Sequence, residues 1–223
     1  MMTGFNVSRE LATVRTDFER PAAALLRSAS ELPTSTIHEA AGRIGALPAA
    51  IKPIEANFRV CGPAVTVHSP PGDNLWLHRA LYLAQPGDVL VVEVEGAYEF
   101  GYWGEIMSCA ARERHLAGLV INGCVRDGAT LASSEFPVFA RGLCMRGTGK
   151  DYGARGWINY PMLIEDVVVR SGDLIAGDYD GVVAIPQSLV AETVEKSVGR
   201  EAKEASILKR LEQGERTLEI YNF

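Results

Sequence analysis

Two short stretches of this 223-residue chain combine residue types that can hold an anion beside a metal ion. The first is Gly104-Glu105-Ile106-Met107, which opens a helical pattern. The second is Arg126-Asp127, which follows the apolar run Leu119-Val120-Ile121-Asn122-Gly123. A helix N-terminus offers free amides and the positive end of its dipole, so the amides of Ile106 and Met107 suit a carboxylate. Arg126 adds a guanidinium. Glu105 and Asp127 add two carboxylates, and carboxylates with water are what Mg²⁺ prefers. Ligands of open α/β sheets bind at the carboxyl ends of strands, which is where Arg126-Asp127 falls. The spacing alone leaves a plainer reading open, because an Arg-Asp pair at a strand end also serves as a surface ion pair or a helix cap.

Other reactive side chains read as structural. Cys61, Cys109, Cys124 and Cys144 form no CxxC pair and no zinc-spaced cluster with histidine, so they are expected to be buried, reduced thiols. Cys124 has no base near it in sequence that would make it a nucleophile. His38, in TIHEA, fits either a polar pocket or a helix end. His68 and His78 fall in strand and helix patterns and are expected to be packed or exposed. Asp178 and Asp180, with Gly181, are explained by a turn before the strand VVAIP.

The elements that must position these residues can be read from periodicity. Residues 8–30 carry apolar residues at helical intervals, with Ser8 as N-cap and a break or kink at Pro21. A second helix is signalled over 35–42. GPAVTVHS (62–69) reads as a strand, 73–84 as a helix with Asp73 as cap, and 89–96 as a strand after the turn at 86–88. Residues 103–115 read as a helix, 116–123 as a buried strand, 124–134 as helical and 136–143 as a strand. Residues 162–186 hold three β segments with Gly-Asp turns at 172–173 and 177–178. The tail from Pro186 reads as a helix with a solvated charged face. Strand–helix–strand units with helices at both ends make a mixed α/β fold. No repeat or linker divides the chain, so 1–223 is expected to be one domain.

Composition limits the partners. Apolar residues make up 47% of the chain, and 22 basic against 28 acidic residues leave a net charge of −6. An acidic chain without a basic stripe is a poor binder of a phosphate backbone, so no nucleic-acid partner is expected. No apolar run reaches membrane-spanning length, and the N-terminus has no apolar h-region, so no membrane association and a cytoplasmic location are expected.

The two chemical stretches, with 22 residues from Gly104 to Arg126, resemble the glycine-to-Arg-Asp pattern of the RraA-like family. STIHEAAGRIGALP (35–48), GPAVTV (62–67), GDNLWLHRAL (72–81), PGDVLVV (86–92), RGTGKDYG (146–153) and GDYDGVVAIP (177–186) are similar to further blocks of that family. The resemblance spans nearly the whole chain. It implies an αββα sandwich with a swivelling β/β/α-type core, assembled as a homotrimer or homohexamer with sites between subunits. Within the family the class II pyruvate aldolases fit best, which implies cleavage of 4-hydroxy-4-methyl-2-oxoglutarate or 4-carboxy-4-hydroxy-2-oxoadipate to pyruvate. Oxaloacetate decarboxylation is a possible side activity. The family also holds a non-catalytic regulator of ribonuclease E and leaves room for a different oxo-acid lyase.

By the same resemblance Asp127 ligates Mg²⁺ or Mn²⁺, and Arg126 binds the pyruvate moiety. Gly104 and the amides of Ile106 and Met107 hold the pyruvate carboxylate. Glu105 falls where an acidic residue handles a metal-associated water, and so is the candidate base for the C4-hydroxyl proton. Lys150 could reach the substrate's distal carboxylate, or could simply face solvent in its glycine-rich turn. A glutamate from the neighbouring subunit's C-terminal helix (187–214) completes the metal site in these aldolases. Glu204 and Glu201 both match that position, and a solvated helix face suits either equally.

Overall fold

The computed structural model describes residues 13–223. In chain order these form α1 (Ala23–Ser30), α2 (Thr34–Ala40), β1 (Lys52–Pro53), β2 (Val60–His68), α3 (Leu75–Leu83) and β3 (Val89–Glu93). There follow α4 (Glu105–Glu113), β4 (Gly118–Val125), α5 (Gly128–Ala132), β5 (Val138–Leu143) and β6 (Trp157–Ile158). The β-rich section holds β7 (Met162–Ile164), β8 (Val167–Val169), β9 (Leu174–Asp178) and β10 (Gly181–Ile185). A 3₁₀ turn (Gln187–Leu189), the long helix α6 (Val190–Glu212) and a short α7 (Thr217–Ile220) complete the chain.

Strands β2, β3, β4 and β5 are parallel and consecutive, linked by α3, α4 and α5. Parallel strands need such crossovers, and the helices must then cover the sheet. The row Val65–Leu90–Leu119–Val138 is in register across all four strands. It packs on the helix side with Trp76, Leu77 and Met107. The alternate row, which includes Ala64, Val91 and Val120, faces the other way, onto β7–β10. The full order is β1-β5-β4-β3-β2-β9-β10, with β6 also on β2. The two ends of that sheet approach each other, and Lys52 Nζ on β1 donates to the carbonyl of Asp180 beside β10 at 2.5 Å. The sheet is therefore curved into a nearly closed barrel. A third apolar cluster joins α1, α2, β9, β10 and the first turns of α6 through Ile37, Leu174, Val190 and Val194.

This is the mixed α/β architecture that the sequence predicts, with four corrections. Residues 13–22 are not helical, and the first helix starts only at Ala23. Their backbone pairs instead with Ile158, which exchanges hydrogen bonds with Thr13 and Arg15. Arg20 meanwhile holds the buried Asp88 through two bonds of 2.8 Å. A tertiary partner for the backbone outweighs a weak helical period here. The remainder of the expected helix, residues 8–12 with Ser8, lies outside the described residues. Second, residues 162–185 form four strands, because Glu165-Asp166 makes a turn at left-handed φ and splits the first segment. Third, Gly177-Asp178 ends β9 and the turn falls at Tyr179-Asp180. Fourth, Cys109 is exposed on α4, while the other three thiols are half-buried and free. Among the described residues no helix is long and apolar enough to cross a membrane.

Candidate active site

The site is assembled where three chain segments leave the carboxyl ends of β2, β3 and β4. After β3 the chain runs through Tyr98–Trp103 alongside the end of β4. Cys124 N donates to Tyr98 O at 2.9 Å, Tyr102 N to Cys124 O at 3.1 Å, and Arg126 N to Trp103 O at 2.8 Å. That ladder fixes Arg126-Asp127 against the start of α4. Trp103 is buried, stacks on Phe136 and donates from its indole to Ser108 Oγ at 2.7 Å, which anchors the turn to the helix.

Gly104 makes the approach possible. A Cβ built there would lie 2.3 Å from Asp127 Oδ2, closer than any side chain tolerates. Because it is glycine, Asp127 Oδ2 accepts the amide of Glu105 at 3.0 Å. Asp127 itself adopts left-handed φ of 60°, uncommon outside glycine but tolerated by Asp. It occupies the N-cap of α5, yet its carboxylate is turned away from that helix toward α4. The amides of Ile106 and Met107 follow in the first turn of α4, where no intrahelical acceptor exists and no N-cap side chain helps. The Arg126 guanidinium makes no hydrogen bond among the described residues and lies 3.8 Å from Asp127 Oδ2.

These groups line one cavity of about 270 Å³ together with Asn74, His78, Thr148 and Lys150. The far wall is set by the start of α3. The N-cap is Asn74, one residue beyond the expected Asp73, whose carboxylate accepts Leu75 N at 2.7 Å and Asp151 N at 2.5 Å. Gly149 N donates to Gly72 O at 2.7 Å. The loop carrying Lys150 is thereby tied to the helix carrying His78. Asn74 is buried; its Nδ2 donates to Tyr102 O at 2.9 Å, and its Oδ1 has no partner. Burial, and then Lys150, push the His78 imidazole below its usual pKa, while Asp73 pulls the other way. Neither His78 nor Lys150 makes a side-chain hydrogen bond or ion pair among the described residues.

Of the residues expected from sequence, Gly104, Ile106, Met107, Arg126, Asp127 and Lys150 line this cavity. Glu105 gives its amide to Asp127, but its exposed side chain is not part of the lining. Glu204 and Glu201 lie on α6, whose first half packs on α1 and α2 of its own chain, and neither lines the cavity. Glu201 accepts Thr36 Oγ1 at 2.6 Å, and Glu204 pairs with Arg200 at 3.2 Å. His38 stands at the end of α2 with its Nδ1 3.0 Å from Ile44 O, and it also lines a separate cavity with Arg43 and Asp166. Asp178 serves the β9–β10 turn and also binds Thr34. Burial raises the pKa of the Cys124 thiol, which suits an inert thiol. His78, expected to be packed or exposed, lines the cavity instead, and Asn74 was not expected there. They stand four apart at the start of α3 and so share one face, a signal that GDNLWLHRAL does contain.

Among the described residues no three His, Cys, Asp or Glu side chains come together as a metal cage. Among the described residues Asp127 is the one carboxylate lining the cavity, and no hydrogen bond engages its Oδ1. Such a donor set suits an ion that keeps most of its waters, as Mg²⁺ does, and not a tetrahedral zinc.

Residues 34–184 match the family described as RraA-like, aldolase/RraA. A protein of Halalkalibacterium halodurans named "Putative 4-hydroxy-4-methyl-2-oxoglutarate aldolase" is 36% identical over 180 residues, covering 79% of this chain and 85% of that protein. A solved structure of an uncharacterized protein from Pseudomonas syringae pv. tomato superposes with a TM-score of 0.78 at 28% identity, covering 92% of this chain and all of that one. Streptomyces coelicolor RraAS2, described as an unusual member of the RNase ES inhibitor RraA family, gives 0.74 at 26%, covering 85% and 98%.

Proposed function

This chain belongs to the aldolase/RraA family, and from that premise we propose that it is a divalent-metal-dependent lyase cleaving 4-hydroxy-2-oxo diacids to pyruvate. The preferred substrate is 4-hydroxy-4-methyl-2-oxoglutarate, with 4-carboxy-4-hydroxy-2-oxoadipate as a second. One observation carries the reading. Gly104 lets the Asp127 carboxylate, the Arg126 guanidinium and the amides of Ile106 and Met107 face one small cavity.

Arg126 and the two amides hold the carboxylate of the pyruvate half, a charge-assisted arrangement that also orients the 2-oxo group. Asp127 is the residue that would hold Mg²⁺ or Mn²⁺. When bound, such an ion supplies Lewis-acid stabilisation of negative charge on the 2-oxo oxygen. Lys150, on the far wall, takes the distal carboxylate. Arg126 and Lys150 against Asp127 leave the cavity positive within a chain of net charge −6, as a dianion requires. Because oxaloacetate also yields pyruvate enolate on losing carbon dioxide, its decarboxylation is expected as a side activity. A neighbouring subunit's Glu204 or Glu201 would complete the site in a homotrimer or homohexamer.

Likeness to RraAS2 supports a competing reading, a protein-binding inhibitor of a ribonuclease. The unpartnered donors in the cavity favour a small anion. The test is coupled detection of pyruvate from 4-hydroxy-4-methyl-2-oxoglutarate with Mg²⁺ and with EDTA. Metal-dependent release is expected. No release from any oxo acid, together with ribonuclease inhibition, overturns the reading.

A further inference from the structure

Cleavage of a 4-hydroxy-2-oxo acid needs a base for the C4 hydroxyl, and the cavity narrows the choice. Arg126 and Lys150 enter as cations. Asp127 is committed to the Glu105 amide through one oxygen and, in the reading above, to the metal. Asn74 and Thr148 are not bases at neutral pH. Tyr102 is held by hydrogen bonds to Ala97 O and Gly72 N, and burial raises its pKa. Glu105 is not part of the lining. Among the residues that this chain itself places in the cavity lining, the imidazole of His78 is what remains, and no hydrogen bond ties it to Asp127 or to any other described residue. It stands on α3 beside Lys150, in the same cavity wall as Asn74. With the pyruvate carboxylate on Arg126 and the two amides, His78 and Lys150 are the cavity groups left for the C4 end of the substrate.

Resting on the lyase reading, we propose that His78 is the catalytic base that removes the C4-hydroxyl proton. The imidazole takes the proton as the C3–C4 bond breaks. The C4 oxygen becomes the carbonyl of the departing oxo acid, and the bonding pair passes to C3 as pyruvate enolate. C3 then takes a proton from solvent and the imidazolium returns one to solvent, so no net proton is consumed. The surroundings suit the role. Burial and Lys150 keep the ring neutral and able to accept, while Asp73 opposes them; Arg126 and Asp127 are the other charged groups facing the cavity.

The experiment compares wild type with His78→Gln and Lys150→Met on three readouts: the pH profile of cleavage, oxalate affinity, and exchange of pyruvate methyl protons in D₂O. His78→Gln is expected to lose about 10²-fold in kcat, the usual contribution of a positioned base, and to lose the acid limb of kcat/KM. Oxalate affinity and methyl exchange, in which the C4 oxygen takes no part, are expected to stay within about twofold of wild type, a shift too small to register as a lost contact. Lys150→Met removes a neighbouring positive charge, so the His78 pKa rises and the acid limb moves to higher pH. Free imidazole is expected to restore part of the rate to His78→Ala. A His78→Gln enzyme with the wild-type rate and acid limb overturns the proposal. So does one that loses oxalate binding and exchange together with cleavage, since that marks a structural role. An inert wild type overturns the lyase reading itself, a distinguishable result.

Discussion

Two cavities open at the carboxyl ends of β2, β3 and β4, on opposite faces of the sheet. The larger, about 580 Å³, lies at the mouth of the barrel and is lined by His68, Glu93, Asn122 and Glu165. His68, Glu93 and Asn122 are in register across three strands. Their groups satisfy one another. Asn122 Nδ2 donates to Glu93 Oε2 at 2.6 Å, and Arg141 reaches Asn122 Oδ1 and Glu165 Oε1, each at 2.6 Å. His68 Nε2 sits 3.2 Å from Glu95, and among the described residues the buried Nδ1 of His68 has no partner. The smaller cavity, on the helix side, holds the opposite kind of surface: Arg126, Lys150, His78, Asn74 Oδ1 and two helix amides await partners. Size does not mark the site. A polar network whose groups mostly pair with one another specifies packing at the barrel mouth, whereas donors left open on a built wall call for a ligand.

Substitutions can break or sharpen this contrast. Arg126→Ala is expected to lower kcat/KM about 10³-fold, as loss of a charge-assisted anion contact does, while thermal unfolding stays close to wild type. Steady-state kinetics and calorimetry on one preparation check both halves. Asn122→Ala should do the reverse. It leaves Glu93 and Arg141 each short of a buried partner and costs about 3 kcal/mol of stability; urea unfolding measures it. Lys150→Met should raise KM for a diacid about tenfold, equal to about 1.4 kcal/mol, with little change for an aldol adduct that lacks the distal carboxylate. Glu95→Gln, at a half-exposed pair, should shift stability by less than about 0.5 kcal/mol. If Asn122→Ala instead left stability intact and abolished a binding function, the contrast between the cavities would fail.

The helix-side cavity was legible to the extent that its parts are local. A glycine opening a helix and an Arg-Asp pair closing an apolar strand are signals within one turn of chain; the helix opens at Glu105 as expected, whereas β4 runs on to Val125 and leaves Arg126-Asp127 ahead of α5 and not within a helical segment from 124. The ladder joining residues 98–103 to the end of β4 is what brings them together, and pairing between distant segments has no local signature. His78 read as a packed or exposed helix residue for the same reason, since bonds between distant segments, Asp73 to Asp151 and Gly149 to Gly72, bring Lys150 beside it. Glu105 shows the converse. Its position along the chain was right for the site, but at the first turn of α4 its side chain stays exposed. The barrel-mouth row was not foreseen at all, because Glu93 and Asn122 each read as one polar residue within a buried run. Their register across strands carries the meaning, and register is a tertiary fact.

The central claim is that the cavity around Gly104, Arg126 and Asp127 forms pyruvate. Its most direct test is the rate of pyruvate release from 4-hydroxy-4-methyl-2-oxoglutarate by wild type and by Asp127→Ala, each at saturating Mg²⁺. The account predicts turnover in the wild type and loss of about 10³-fold or more in the variant. An Asp127→Ala protein that kept full, metal-stimulated turnover would contradict it.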